Sequence, residues 1–133
     1  MIDIEAEMSC RDFIIRCLRA LDEREYDQLA RGFAEDGVWS RGGEDLVGPA
    51  AVREAMEKRP ADFETQHLVL NLVVDHEDKD SATVRYTIAG YAQTADNPYH
   101  LHGMFRATDR LKRTAGGWRF VHQAAVPAFS VQA

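Results

Sequence analysis

The sequence is short of cysteine, proline, basic charge and long apolar runs, and each shortage removes a class of protein. Two cysteines in 133 residues cannot staple a secreted scaffold. Cys10 and Cys17 fall seven residues apart on a helical stripe, roughly 10.5 Å along its axis. A disulfide needs Cα atoms within about 7 Å, so they read as separate buried thiols. Neither has a Cys-x-x-Cys or zinc-ligand neighbour.

Sixteen Lys and Arg stand against twenty-two Asp and Glu, a net charge of −6. That balance lacks the basic excess of a nucleic-acid footprint, so no nucleic-acid partner is expected. The longest apolar stretch, Leu68-Val69-Leu70 followed by Leu72-Val73-Val74, falls far short of the roughly 20 residues of a membrane span, so no membrane partner is expected either. The first residues, Met1 to Glu7, are acidic where a secretory leader would be basic and then apolar, and the reading is cytoplasmic. Gly-x-Gly-x-x-Gly, the P-loop and Gly-x-Ser-x-Gly are all missing. Nothing points to a nucleotide cofactor or a serine nucleophile, and any chemistry is cofactor-free proton transfer.

What remains is one domain, residues 1–133, with two halves of different character. In the first, Ser9 with Asp12 resembles a capping box and Met8 with Phe13 a hydrophobic staple. Ile14, Cys17, Leu18 and Leu21 follow at i, i+3, i+4, i+7, one apolar stripe. A shorter helix fits Tyr26–Phe33 and ends at Glu35-Asp36-Gly37. A hairpin through Gly42-Gly43 joins Val38–Arg41 to Asp45–Val47. Pro49 suits the first position of a third helix with Val52, Ala55 and Met56 inside, closed by Arg59-Pro60.

The second half holds four β-type runs, Gln66–Asp75, Ala82–Gln93, Tyr99–Lys112 and Trp118–Val126, with short links. The fold class is therefore α+β: three N-terminal helices packed on a curved antiparallel sheet. Such a sheet, curling around its helices, leaves a cone with a pocket inside. One broad sheet face lacks a helix layer, and Tyr91, Met104, His100 and His102 are its expected occupants. A homodimer or homotrimer through that open face would cover it.

Two polar residues break local rules. Asp22 follows the apolar stripe at the negative end of the helix dipole; locally it reads as the cap of the next helix, boxed with Glu25, or as a functional group. His67 opens a strand in which His67, Val69, Asn71 and Val73 share one face and Leu68, Leu70, Leu72 and Val74 the other. Both faces are otherwise apolar, so His67 and Asn71 are read as buried and in need of partners. A backbone carbonyl would make His67 a plain core histidine; a carboxylate would make it a general base near neutral pH. Trp39, Tyr86 and Phe105 are placed to line the cone as core or as substrate-binding wall, and Asn71 is expected to join them in binding substrate. His100 and His102 share a strand face, but no third ligand is signalled and no metal is expected. His76 beside the charged turn reads as exposed, and His122, alternating with Trp118 and Phe120, as buried.

The order of short patterns adds a resemblance. Leu21-Asp22-x-x-x-Tyr26-Asp27-x-Leu29, Phe33-Ala-Glu-Asp-Gly-Val-Trp39, Gly48-Pro49 before a helix, Thr65-Gln66-His67 with Asn71, and Gly116-Gly-Trp-Arg-Phe120 together resemble the SnoaL-like branch of the NTF2-like superfamily. The likeness spans nearly the whole chain and is greatest to the scytalone dehydratase and hexachlorocyclohexane dehydrochlorinase group. It implies a cone-shaped, cystatin-like fold and a lyase, a dehydratase or related elimination, acting on a small hydrophobic or aromatic molecule. Asp22 and His67 fall at the positions of that group's catalytic Asp–His base. Two departures stand out. Scytalone dehydratase has a tyrosine just before the Asp, where this chain has Leu21; its second tyrosine falls near Ser40 or Arg41. A ketosteroid isomerase has its Asp base near Arg41. The resemblance equally admits a non-catalytic binding or assembly module, like the small subunit of ring-hydroxylating dioxygenases, or a polyketide- or steroid-type isomerase or cyclase. A binding module would leave Asp22 turned away from His67.

Overall fold

Asp3, not Ser9, caps the first helix. Its carboxylate accepts from the Ala6 N–H at 3.0 Å, and α1 runs Ile4–Asp22. The computed structural model describes residues 3–129, the side chains of His76 and Glu77 excepted, so the reading of His76 lies outside the described residues. The buried stripe begins at Ala6 and Cys10, a turn and more before the expected start. Met8 is exposed and makes no staple. Ser9 instead ties α1 to the sheet. Its Oγ accepts from Trp118 Nε1 at 2.8 Å and donates to the Ala6 carbonyl at 3.0 Å. Ser9→Ala would leave a buried indole N–H without its partner, and should cost about 1–3 kcal/mol. Urea unfolding with an unchanged slope and a lower midpoint is the expected reading; a variant as stable as its parent would contradict it.

The second helix is shorter than its pattern suggests. α2 covers Tyr26–Arg31, and Phe33 already belongs to β1, Phe33–Arg41. Glu35-Asp36-Gly37 therefore lies inside a strand rather than ending a helix. β1 turns at Gly42-Gly43, with φ of 47° and 90°, into β2, Glu44–Val47. Gly48 precedes α3, Pro49–Glu57, with Pro49 in its first turn and Val52 and Met56 buried. The four runs of the second half form β3 (Glu64–Asp78), β4 (Ser81–Thr94), β5 (Asn97–Thr114) and β6 (Gly117–Pro127).

The six strands lie in the order β2-β1-β6-β5-β4-β3. β3 to β6 form the expected antiparallel meander. The sheet is not antiparallel throughout, because β1 pairs with β6 in parallel. Among the described residues, the first strand thus docks beside the last.

Three irregularities reset which side chains face inward. In β3 the register shifts between Leu70 and Val73, where Asn71 takes φ 54°; Asn tolerates this left-handed region better than most residues. In β6 the register steps from Phe120 to His122 against consecutive residues of β5. In β1 it slips between Phe33 and Val38 against β6, with Gly37 so close that a Cβ would lie 2.4 Å from the Phe120 carbonyl oxygen.

The helices and the sheet's inner face enclose one core in which Ile14, Val52, Met56, Val84 and Phe120 are fully buried. Phe120 packs on Phe13 and Phe33, and Phe33 stacks on Trp39, extending this aromatic row toward the cone. Cys10 and Cys17 are buried free thiols, and burial pushes them up to about 11 and about 12. No helix among the described residues is long and apolar enough to cross a membrane.

Candidate active site

Asp22 caps no helix. The last residue of α1, it turns its carboxylate onto β3, while α2 begins after Glu25 without any side-chain cap. The local departure is thus resolved by a distant partner. Asp22 Oδ1 lies 2.5 Å from His67 Nδ1, and Oδ2 accepts the His67 main-chain N–H at 2.8 Å. Thr65 Oγ1 donates to Oδ1 at 2.9 Å, and Arg59 Nη2 donates to Thr65 Oγ1 at 3.0 Å. The carboxylate side chain is only 7% exposed and that of His67 21%.

Electrostatics follow from this geometry. Burial pushes the Asp22 carboxyl up, but the side-chain and main-chain hydrogen bonds from His67, with its charge and Thr65 behind them, hold it below the usual carboxylate range. Asp22 therefore stays ionised at neutral pH. An ionised carboxylate on Nδ1 sets the proton there and leaves the lone pair on Nε2. Gly90 lies opposite His67 in the β3–β4 pairing, and a Cβ there would come within 3.7 Å of the ring and 3.9 Å of Nε2. A side chain larger than a methyl would cover the basic nitrogen.

His67 faces the interior of the cone. A cavity of about 390 Å³ extends from it along the sheet, with Trp39, Ile88, Phe105, Ala107, Gln123 and Ala125 among its walls. A second lobe of about 200 Å³ opens past His67 between Arg41, Arg59, Phe63, Tyr91 and His102. Leu21, Trp39, Arg41, His67 and Phe105 line both.

Of the four residues expected to bind substrate, Trp39 and Phe105 stand on this wall. Asn71 does not: its bulge leaves it exposed, and beyond it Leu72 and Val74 turn inward while Val73 turns out. Leu68, Leu70 and Val73 are exposed at 42%, 41% and 48%, so β3 is not buried on both sides as its composition suggested. Tyr86 lies deeper, outside the cavity lining, and its hydroxyl donates to Asp109 Oδ2 at 2.5 Å. His122 is turned by the β6 bulge to the opposite face, where its Nε2 meets Ser40 Oγ at 2.9 Å. Tyr91 and His102, expected on the open sheet face, border the cavity mouth instead. His100 and His102 rings stand 6.3 Å apart, and His100 Nδ1 pairs with the Pro98 carbonyl at 2.8 Å.

The sequence reading missed Gln123, Asp109, Arg59 and the inward role of Arg41. Asp109 carried a signal: with Phe105, Ala107 and Leu111 it makes an acid on an apolar strand face at a period of two. Gln123 carried none, because only the bulge aims it inward. Both are buried, and Asp109 Oδ1 and Gln123 Oε1 have no hydrogen-bond partner among the described residues.

Residues 3–123 match the SnoaL-like domain. No curated protein gives a significant match. An NTF2-like protein with a cystatin-like fold from Novosphingobium aromaticivorans superposes with a TM-score of 0.85 at 22% identity, over 96% of this chain and 85% of that one. A protein of the same organism, provisionally named a scytalone dehydratase, gives 0.83 at 20% identity over 95% and 89%. ActVI-ORFA from Streptomyces coelicolor gives 0.78 at 18% over 91% and 96%. At these identities the likeness establishes the fold: a cystatin-like cone of three helices against a curved six-stranded sheet.

Proposed function

The chain belongs to the SnoaL-like family, and we propose that within it this protein is a cofactor-free lyase whose general base is His67, held by Asp22. The observation that carries the reading is the 2.5 Å contact of Asp22 Oδ1 with His67 Nδ1 beside an apolar cavity. Nε2 takes a proton from a substrate carbon made acidic by a neighbouring carbonyl. The C–H electron pair becomes the new C=C bond, and the bond to hydroxyl or halide on the adjacent carbon breaks, the leaving group keeping its pair. When that group is hydroxide, the proton now on Nε2 completes the water molecule. Asp22 stabilises the imidazolium formed in between.

The cavity suits a small substrate with one hydrophobic or aromatic ring, flanked by Trp39 and Phe105. The binding-module alternative required Asp22 to point elsewhere, and the dyad geometry gives it no support. Assembly through the outer sheet face belongs to the same proposal, favoured by the exposed Leu68, Leu70 and Val73.

The test is a panel of cyclic β-hydroxy and β-halo carbonyl compounds, with enone formation followed by absorbance. Asp22→Asn removes the charge that supports the imidazolium while keeping the side chain's size. A hydrogen bond to a charged group is worth about 1.5–3 kcal/mol, so turnover should fall roughly 10- to 100-fold. Equal rates for Asp22→Asn and the parent, or no elimination across the panel, would overturn the reading.

A further inference from the structure

The cavity's second lobe carries a charge the elimination chemistry does not use. Arg41, at the end of β1, and Arg59, just after α3, line it together with His67. Each guanidinium sits over an aromatic ring: Arg41 at 4.6 Å from the Trp39 centroid, Arg59 at 5.2 Å from that of Phe63. A guanidinium donates in its own plane, and Arg59, with three neutral acceptors, keeps two of its five N–H groups for an anion among the described residues.

Seven of the thirteen arginines have no carboxylate oxygen within 4.0 Å among the described residues, and of these seven Arg41 and Arg59 line the lobe. Arg11, Arg16, Arg19, Arg24, Arg53 and Arg85 each lie within 4.0 Å of a carboxylate oxygen. Neither Arg41 nor Arg59 does among the described residues, in a chain with twenty-two acidic side chains. Arg59 donates only to neutral oxygens, those of the Leu21 carbonyl, the Tyr26 hydroxyl and Thr65. Glu44, opposite Arg41 in the β1–β2 hairpin, acts on it only from beyond ion-pair range. Arg41 is an exposed residue as a whole, yet the partial loss of water around its guanidinium and the nearby charge of Arg59 both disfavour its cation. Two unpaired positive groups on one cavity wall repel each other, and an anion between them relieves that repulsion.

We propose that Arg41 and Arg59 form a carboxylate-binding clamp, so that the substrate is a ring-bearing carboxylic acid held by its anionic end while its acidic C–H meets His67. The identity of the reacting carbon rests on the lyase reading; the clamp does not, since it needs no turnover. The same pair explains how a site with Leu21 in place of a polarising tyrosine orients its substrate.

Benzoate and benzamide are the probes, alike in ring and size and different in charge. Titrations followed by amide NMR shifts on the parent, Arg41→Gln, Arg59→Gln and Arg41→Lys separate the possibilities. Benzoate should bind the parent at least tenfold more tightly than benzamide. Either glutamine variant should weaken benzoate about 10- to 100-fold and leave benzamide unchanged, as expected for one lost charge-assisted contact. Arg41→Lys should recover part of the loss, because it keeps the charge without the fork. Benzoate binding is read without turnover, so the clamp and the elimination stand or fall separately. Benzamide binding as tightly as benzoate, no benzoate binding at tens of millimolar, or benzoate affinity indifferent to both glutamine variants overturns the clamp. Dispersed spectra from the variants check that they are folded.

Discussion

Alanine at position 67 lowers turnover by about 10²- to 10⁴-fold, the range that a positioned general base supplies. The fold should survive the change. Asp22 keeps two of its three hydrogen bonds, from Thr65 Oγ1 and from the residue 67 main-chain N–H, because only the Nδ1 contact belongs to the ring. The imidazole is also partly exposed, so its removal opens the cavity rather than creating a sealed void. The measurement is kcat/KM on an elimination substrate beside a thermal melt. A melt close to the parent's with turnover reduced a hundredfold or more is the expected pair of results. Undiminished turnover in His67→Ala would remove the base, and the lyase with it.

The second large effect is on stability, and it depends on pH. Asp109 is fully buried on β5, with Tyr86 donating to Oδ2 and Oδ1 without a partner among the described residues. Burial pushes its carboxyl up to about 7, against the lesser opposing pull of the Tyr86 and Ala124 hydrogen bonds. Its folded value therefore lies above its unfolded one, so between about 4 and 7 the folded chain binds the extra proton. Stability from this group falls as pH rises through that window and is unaffected below it. Over a shift of this size the penalty approaches about 4 kcal/mol above pH 7. Asp109→Asn carries no charge, still offers Tyr86 an acceptor, and adds a donor opposite Gln123, its cross-strand neighbour. Parent and variant should match near pH 4, and the variant should be more stable by up to about 4 kcal/mol at pH 8. Urea midpoints at both values check this. A gap of the same size at pH 4 and pH 8 would show that the proton on Asp109 is not the cause. Asp22 acts in the opposite direction: its depressed carboxyl contributes stability at neutral pH that is lost as the solution is acidified.

Much of the architecture was legible from pattern. The four meander strands fall within three residues of their expected limits, and Asp22 and His67, which meet in the fold, stand out in the sequence as polar breaks in apolar patterns. What pattern could not supply was the count of residues across each bulge. A period of two assigns faces only while the ladder is unbroken. One extra residue at Asn71 sends Val73 outward, and one at Val121 exchanges His122 for Gln123 on the inner face. Arg41 and Arg59 were hidden for another reason. Charged residues at element ends read as solvent-facing, and only the three-dimensional closure of β1 and α3 around one space reveals that both border a cavity.

The parallel pairing of β1 with β6 has a consequence for biogenesis. Of the six strands β6 is the last to leave the ribosome, yet it lies inside the sheet between β1 and β5. Until Gly117–Pro127 emerges, β2-β1 and β5-β4-β3 are two fragments with raw edges facing each other. The floor beneath the dyad is laid only when that final segment slots between them. A nascent chain stalled before residue 117 would therefore carry Asp22 and His67 without a chamber to work in.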